Sequence, residues 1–372
     1  MSTCTASVSL ISQKSISFTA FQALWIPGTN RICSLGSNDT GFGVIQVHAL
    51  TTNPLSSPKV SSTATTATAK TSDHVIPTLL LHSETEKRVQ FKSGTFRASA
   101  RSSSLPNLIT GDFEGHVGLW DLSRTEVPLN TFKAHEDVIN CMDGTGSQTG
   151  RPEYVTGCRD GSVKLWDMRQ NHKETKEVLP ISNMSRTKGQ KEADAWSVAL
   201  GATGMDSDDL LIAIGYDNGD VRMVDIRMYR PIFERNIGHG VCSVEFDKRQ
   251  GKPSILTATT LDGTLHTFTL AVEQTTETAD VKDNVIQVQS GEDSTLWQVR
   301  HIPQRPDILT VTDGGGKIHM YKHGEKATKA TSLGSQKMST QGILSLEFNE
   351  NLEGMFVGSD LDNNLQVGMI QL

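Results

Sequence analysis

Cysteine is sparse in this chain of 372 residues, and its spacing is uninformative. Cys4, Cys33, Cys141, Cys158 and Cys242 are scattered with no CxxC pair. That indicates neither a disulfide framework nor a zinc site and suits a reducing compartment. No stretch approaches the roughly 18 consecutive apolar residues of a membrane-crossing helix. The N-terminus, MSTCTASVSLISQKSISF, lacks the charged n-region and continuous apolar core of a signal peptide. The expectation is a soluble cytoplasmic protein with no membrane partner, in which the sequons at Asn38 and Asn183 carry no sugar. Charge of one sign is also missing as a block. The 35 basic and 42 acidic side chains intermix to a net −7, leaving no basic stripe for nucleic acid. The eleven histidines include no HExxH or paired metal spacing, so no metal centre is expected. The glycine-rich strings DGTGSQTGR (143–151) and DGGGK (313–317) are not phosphate loops. Lys317 precedes Ile318 where the motif requires Ser or Thr. No cofactor and no catalytic residue is expected.

The chain is rich in glycine, with 32, and in short alternating apolar runs, as expected for many brief strands joined by turns. GDFEGHVGLWD (111–121) and GCRDGSVKLWD (157–167) are two copies of one unit: a strand, an acidic turn and a second strand ending in Trp-Asp. Such a unit cannot bury its own faces and must recur and stack. Weaker copies begin with FGVIQVHAL at 42, GYDNGDVRMVD at 215, TLDGTLHTFTL at 260, DGGGKIHMYK at 313 and LDNNLQVGMI at 361. Seven copies at this spacing predict an all-β, seven-bladed β-propeller in which residues 1–372 form a single domain.

Upstream of the turns recurs an apolar pattern at i, i+3 and i+5, as in VCSVEF (241–246) and ILSLEF (343–348). It reads as the inner strand of each blade, with a bulge-like slip from strict alternation. The chain stops after the third strand of the last blade, and ASVSLISQ (6–13) has the alternating character to supply the fourth. The N-terminus is therefore expected to close the ring. Residues 51–74, rich in Ser, Thr and Ala, read as a disordered insertion, and 171–194 as a polar connection between the third and fourth blades.

In the third blade, His135, Thr156, Asp160 and Trp166 are spaced for a hydrogen-bond chain from turn carboxylate through imidazole and hydroxyl to indole. A His, Thr and Asp set could suggest a hydrolase. The structural reading is preferred, because a buried indole N–H needs an acceptor. The positions one past the start of each inner strand are Phe21, Lys92, Ile139, Trp196, Cys242, Trp297 and Leu344. These should surround the channel mouth, six of the seven apolar. Phe113, Arg159, Tyr216 and Leu261, just before the turn carboxylates, should emerge on the same face. Either these side chains pack between blades, or they form a rim that grips a peptide or folded client.

The Asp-Gly turns and Trp-Asp endings at 120–121 and 166–167, with a weaker Val224-Asp225, resemble WD40 repeats. Blades one, six and seven depart from them, with His48-Ala49, Tyr321-Lys322 and Gly368-Met369 in place of Trp-Asp. The phrases TGDFEGHVGLWDL, EYVTGCRDGSVKLWDMRQ, GVCSVEFD and STLWQVRHIPQ further resemble the Monad family of WD-repeat dynein axonemal assembly factors. That resemblance implies a monomeric, non-catalytic adaptor working with prefoldin-like and heat-shock cochaperone machinery on axonemal dynein heavy chains. A second resemblance, of LWDMR (165–169) to the Trp-Asp-x-Arg signature, implies instead a substrate receptor of a cullin-type ubiquitin ligase.

Overall fold

The computed structural model describes residues 6–52, 77–98, 106–145, 151–168, 176–179, 193–202, 210–226, 230–247, 253–271, 280–288, 295–324 and 330–372. Its strands form seven four-stranded antiparallel sheets, each a blade, and the described residues include no helix. The inner strands, blade by blade, are Thr19–Trp25, Phe91–Thr95, Ile139–Gly144, Ala195–Ala202, Val241–Phe246, Leu296–Ile302 and Ile343–Phe348. Each touches the next in that order and the last touches the first, so the ring is closed. In blade 7 the strand order from the outside is Ser7–Ser15, Asn364–Gln371, Met355–Asp360, Ile343–Phe348. The N-terminal strand thus supplies the outer edge, pairing from Ser7 with Gln371 to Ser15 with Asn364.

The core lies between blades rather than within them. Among the described residues, seven apolar clusters each join two consecutive blades, for example Val155 and Val163 of blade 3 with Leu200, Ile212 and Ile214 of blade 4. The cluster of Phe18, Ile32 and Val44 with Val357, Leu365 and Val367 does the same between blades 1 and 7. A two-layered sheet face is buried only when its neighbour arrives, which makes stability depend on ring closure. Short polar side chains stitch the inner strands together. Ser93 donates to the carbonyl of Ile139 at 3.0 Å, Ser197 to Val241 at 3.3 Å, and Ser345 accepts from the amide of Ala23 at 3.1 Å.

Every inner strand carries one register shift near its start, at Phe21, Lys92, Asn140, Trp196, Cys242, Trp297 and Leu344 in turn. Blade 3 corrects the expectation for Ile139. That residue is fully buried, and a Cβ on Gly111 of the neighbouring blade would lie 2.6 Å from it. Val138 and Ile139 are both apolar, and VINCMDG matches the i, i+3, i+5 pattern only in part from either one, with Asp143 or Gly144 at i+5, so the pairing of Ile139 with Cys158 decides. The polar connection at 171–194 is also not all loop. Lys176–Leu179 is the outer strand of blade 3, and the remainder apart from 193–194 lies outside the described residues. The insertion read at 51–74 starts later, because Thr51 and Thr52 end a strand of blade 1; positions 53–74 lie outside the described residues.

Candidate functional site

The third-blade corner is a one-way hydrogen-bond chain. Trp166 Nε1 donates to Thr156 Oγ1 at 2.8 Å, and Thr156 Oγ1 lies 2.7 Å from His135 Nε2. His135 Nδ1 lies 2.7 Å from Ser162 Oγ, which donates to Asp160 at 2.5 Å. Because Ser162 gives its proton to the carboxylate, it accepts from Nδ1–H. Nε2 is then the acceptor for Thr156, and each polar atom of the chain has a partner. The carboxylate therefore reaches the imidazole through Ser162, a residue absent from the sequence-based set. Burial lowers the pKa of His135 to about 4, so the ring is neutral at pH 7. The Cys158 sulfur belongs to the same corner, its thiol pushed up to about 12 by burial. His135, Cys158 and Asp160 offer ligand atoms within 4.8 Å of one another. Both imidazole nitrogens are already engaged, which fits a structural corner.

Blade 2 keeps half of this chain: Trp120 donates to Thr110 at 2.8 Å. The two copies give an internal comparison. Thr156→Val strands both the Trp166 N–H and His135 Nε2, whereas Thr110→Val strands one indole. We expect losses of about 2–4 and about 1–2 kcal/mol respectively in urea unfolding. Equal losses would show that His135 contributes nothing.

At the channel mouth, the bulge residue of every blade lines one cavity of about 420 Å³. An extra residue in one strand is left unpaired and turned out of the ladder, which here turns seven side chains toward the axis. Trp196 is half-buried and Trp297 is 36% exposed. Each indole rests on a glycine of the next blade. A Cβ on Gly240 would meet Trp196 at 2.7 Å, and one on Gly342 would meet Trp297 at 3.0 Å. The two tryptophans thus pack by one edge and keep another toward the opening. Lys92 Nζ sits 4.3 Å from the centroid of the Phe21 ring, which is 6.0 Å from that of Phe113. Burial lowers the pKa of Lys92 and pushes the thiol of Cys242 up to about 12. A thiol so placed is a poor nucleophile.

The outer ring of this face consists of turn residues whose amides bond back to the start of the inner strand: Phe113 to Gln90, Arg159 to Val138, Asp217 to Asp194, Leu261 to Gly240, Leu361 to Gly342. Phe113, Arg159 and Leu261 therefore stand where the sequence placed them, with Arg159 and Leu261 exposed. Tyr216 does not. It is the buried residue before that position, 2% exposed, with the Arg222 guanidinium 5.1 Å from its ring. The double acid-amide turn Asp217-Asn218-Gly219 misleads by one residue. Gly219, at φ 88°, aligns with Gly161 at 85°, so Asn218 replaces Asp160 and Asp217 takes the outer position. Asn140, Asp217 and Leu361 were missed, and counting back from the positive-φ turn glycine, or from Asn363 in blade 7, would have found the last two.

Deeper in the channel the chemistry changes to buried ions. Arg97 Nη1 lies 3.0 Å from Asp143 and Nη2 lies 2.8 Å from Glu347. The acidic groups also receive backbone amides of the following blade: Leu200 to Asp143 at 3.0 Å, His301 to Glu245 at 2.6 Å, Trp25 to Glu347 at 3.1 Å. Burial raises the pKa of Glu347 against the opposing pull of Arg97 and Arg300. This floor is a staple across blades 2, 3, 7 and 1.

No helix among the described residues is long and apolar enough to cross a membrane. Arg169 of the LWDMR string lies outside the described residues. A family model described as the nucleolar protein 10-like N-terminal domain, a β-propeller, matches residues 140–296. Full-length relatives share far more of the chain. Dynein axonemal assembly factor 10 of Xenopus laevis is 33% identical over 95% of this chain and 94% of its own length. The human protein of that name is 31% identical over the same shares, and that of Chlamydomonas reinhardtii 30% over 96% and 94%. With one seven-bladed ring spanning the aligned length, the chain belongs to the dynein axonemal assembly factor 10 family.

Proposed function

We propose that this protein is a non-catalytic propeller scaffold of the cytoplasm that serves axonemal dynein assembly by holding a protein partner at the channel mouth. The observation that carries the site is the mouth itself. Seven bulge residues from seven blades converge on one cavity, and two of them are tryptophans with an accessible edge. Aromatic side chains at the centre of a concave patch are the usual anchors of a protein interface. The family supplies the process, since the relatives carry the name of dynein axonemal assembly factor. Among the described residues, the cavity lining includes no carboxylate and no histidine to act as general acid or base, which supports a binding role over a catalytic one. On this reading, prefoldin-like and heat-shock cochaperones deliver or share the client, and axonemal dynein heavy chains are that client.

Affinity purification of tagged protein from a ciliated or flagellated cell tests the reading. Chaperone subunits and dynein heavy chains should copurify with the unaltered chain. Trp196→Ala combined with Trp297→Ala should lower their recovery about tenfold or more, with the thermal midpoint largely kept. Recovery of cullin and ligase adaptor subunits in place of chaperones would reject the assembly role. Undiminished recovery by the double variant would move the contact elsewhere.

A further inference from the structure

We propose that the mouth cavity is built for one acidic side chain of an extended partner segment, its carboxylate seated on Lys92 and flanked by large apolar residues packed on Trp196 and Trp297. This rests on the mouth being the partner site and names the chemistry it selects. Among the described residues that line the cavity there are two cations, Lys92 and Arg300, and no carboxylate. Arg300 belongs to the floor, where its charge acts on Glu347. Among the described residues Lys92 has no carboxylate partner, and its ammonium lies over the Phe21 ring at 4.3 Å, with the Cys141 thiol as its other neighbour of note. A largely buried ammonium with an aromatic face on one side and open cavity on the other is incompletely compensated. An incoming carboxylate would supply the missing charge in a weakly hydrated setting, where such a pair has most effect.

The surroundings narrow the ligand. A volume of about 420 Å³ takes a few side chains of an extended segment, not a folded surface. The turns at the same end carry Glu114, Asp217, Asp262 and Asp362, with Arg159 as the cation beside them. That mainly acidic rim disfavours a polyanion, which binds through a continuous basic track that the described turns do not form. It equally disfavours a run of acids. What fits is a single Asp or Glu between apolar neighbours, so that charge reaches the centre and greasy side chains pass the indoles.

Panning a random dodecapeptide phage library on the full chain tests this, with recovered peptides remade in fluorescein-labelled form for anisotropy. The expected consensus is one acid flanked by large apolar residues. Its amide version should bind about thirtyfold or more weakly, and Lys92→Met should cost the acidic peptide the same factor while leaving the amide version unchanged. Lys92→Gln serves as the second variant should Lys92→Met shift the melting curve. Trp297→Ala should weaken both peptides. Peptides that need Trp297 but carry no acid, or ignore Lys92, overturn the acidic ligand and leave the mouth standing. Peptides indifferent to both residues overturn the mouth as well. A library with no binder overturns this inference, as does Lys92-dependent competition by an oligothymidylate of twelve nucleotides.

Discussion

Deleting residues 1–15 should lower the thermal midpoint by about 10 °C or more and broaden the transition. The deleted strand is the outer edge of blade 7, paired with Asn364–Gln371 over its whole length, and it brings Val8 and Ile11 against the clusters between blades. Without it the strand at 364–371 becomes an open edge, a template for association. Leu365, Val367 and Ile370 of that strand are all buried at blade junctions, so the damage spreads to blades 1 and 6. A synthetic peptide of residues 1–17 added in trans should restore much of the midpoint by donating the missing strand. An unchanged midpoint, with no aggregation, would show that the ring does not depend on its N-terminal closure.

Arg97→Met should cost about 3–5 kcal/mol in urea unfolding, the loss expected when one partner of a buried ion pair is removed and its counter-ions remain. Here two acidic groups are left: Asp143 and Glu347, with side chains 7% and 13% exposed. Both also accept backbone amides from a neighbouring blade, so they cannot swing out to water without breaking the seam. The triple variant Arg97→Met, Asp143→Asn, Glu347→Gln should recover most of the loss, because an amide oxygen still accepts those amides without charge. The pH dependence has a definite sign. Burial already holds the Glu347 pKa above the ordinary glutamate value. An acid that binds its proton more tightly when folded favours the fold as pH falls through that pKa and opposes it as pH rises. Removing Arg97 takes away a charge that counters this shift, so the deficit should be larger at pH 8 than at pH 5. A deficit below about 1 kcal/mol, or one independent of pH, would mean that the floor cluster is hydrated and structurally idle.

The blade class, the number of blades and the closing strand were legible in the chain because each depends on short-range composition. Alternating runs, Asp-Gly turns and Trp-Asp ends are local signals, and a fixed spacing between them counts the blades without any knowledge of contacts. The mouth was legible only in part, for a physical reason. A strand has a side-chain period of two, so an error of one residue sends a side chain to the opposite face. Where a blade offered one apolar frame, as at Trp196, Trp297 and Leu344, the residue was placed correctly. Where the local pattern was ambiguous, through two adjacent apolar residues at Val138-Ile139 or two adjacent turn formers at Asp217-Asn218, the wrong neighbour was chosen, and Asn140 and Asp217 stand where Ile139 and Tyr216 were expected. Ser162 between Asp160 and His135 was likewise out of reach, because its role depends on where a hydroxyl points after the turn has closed. By itself, then, the sequence determined the ring and its ends. Tertiary structure alone decided that Asn140 completes the mouth, that Lys92 faces an aromatic ring with no acid beside it among the described residues, and that Arg97 joins acids nearly fifty and two hundred and fifty residues away. Those facts arise when distant blades converge on one axis, and no local pattern records them.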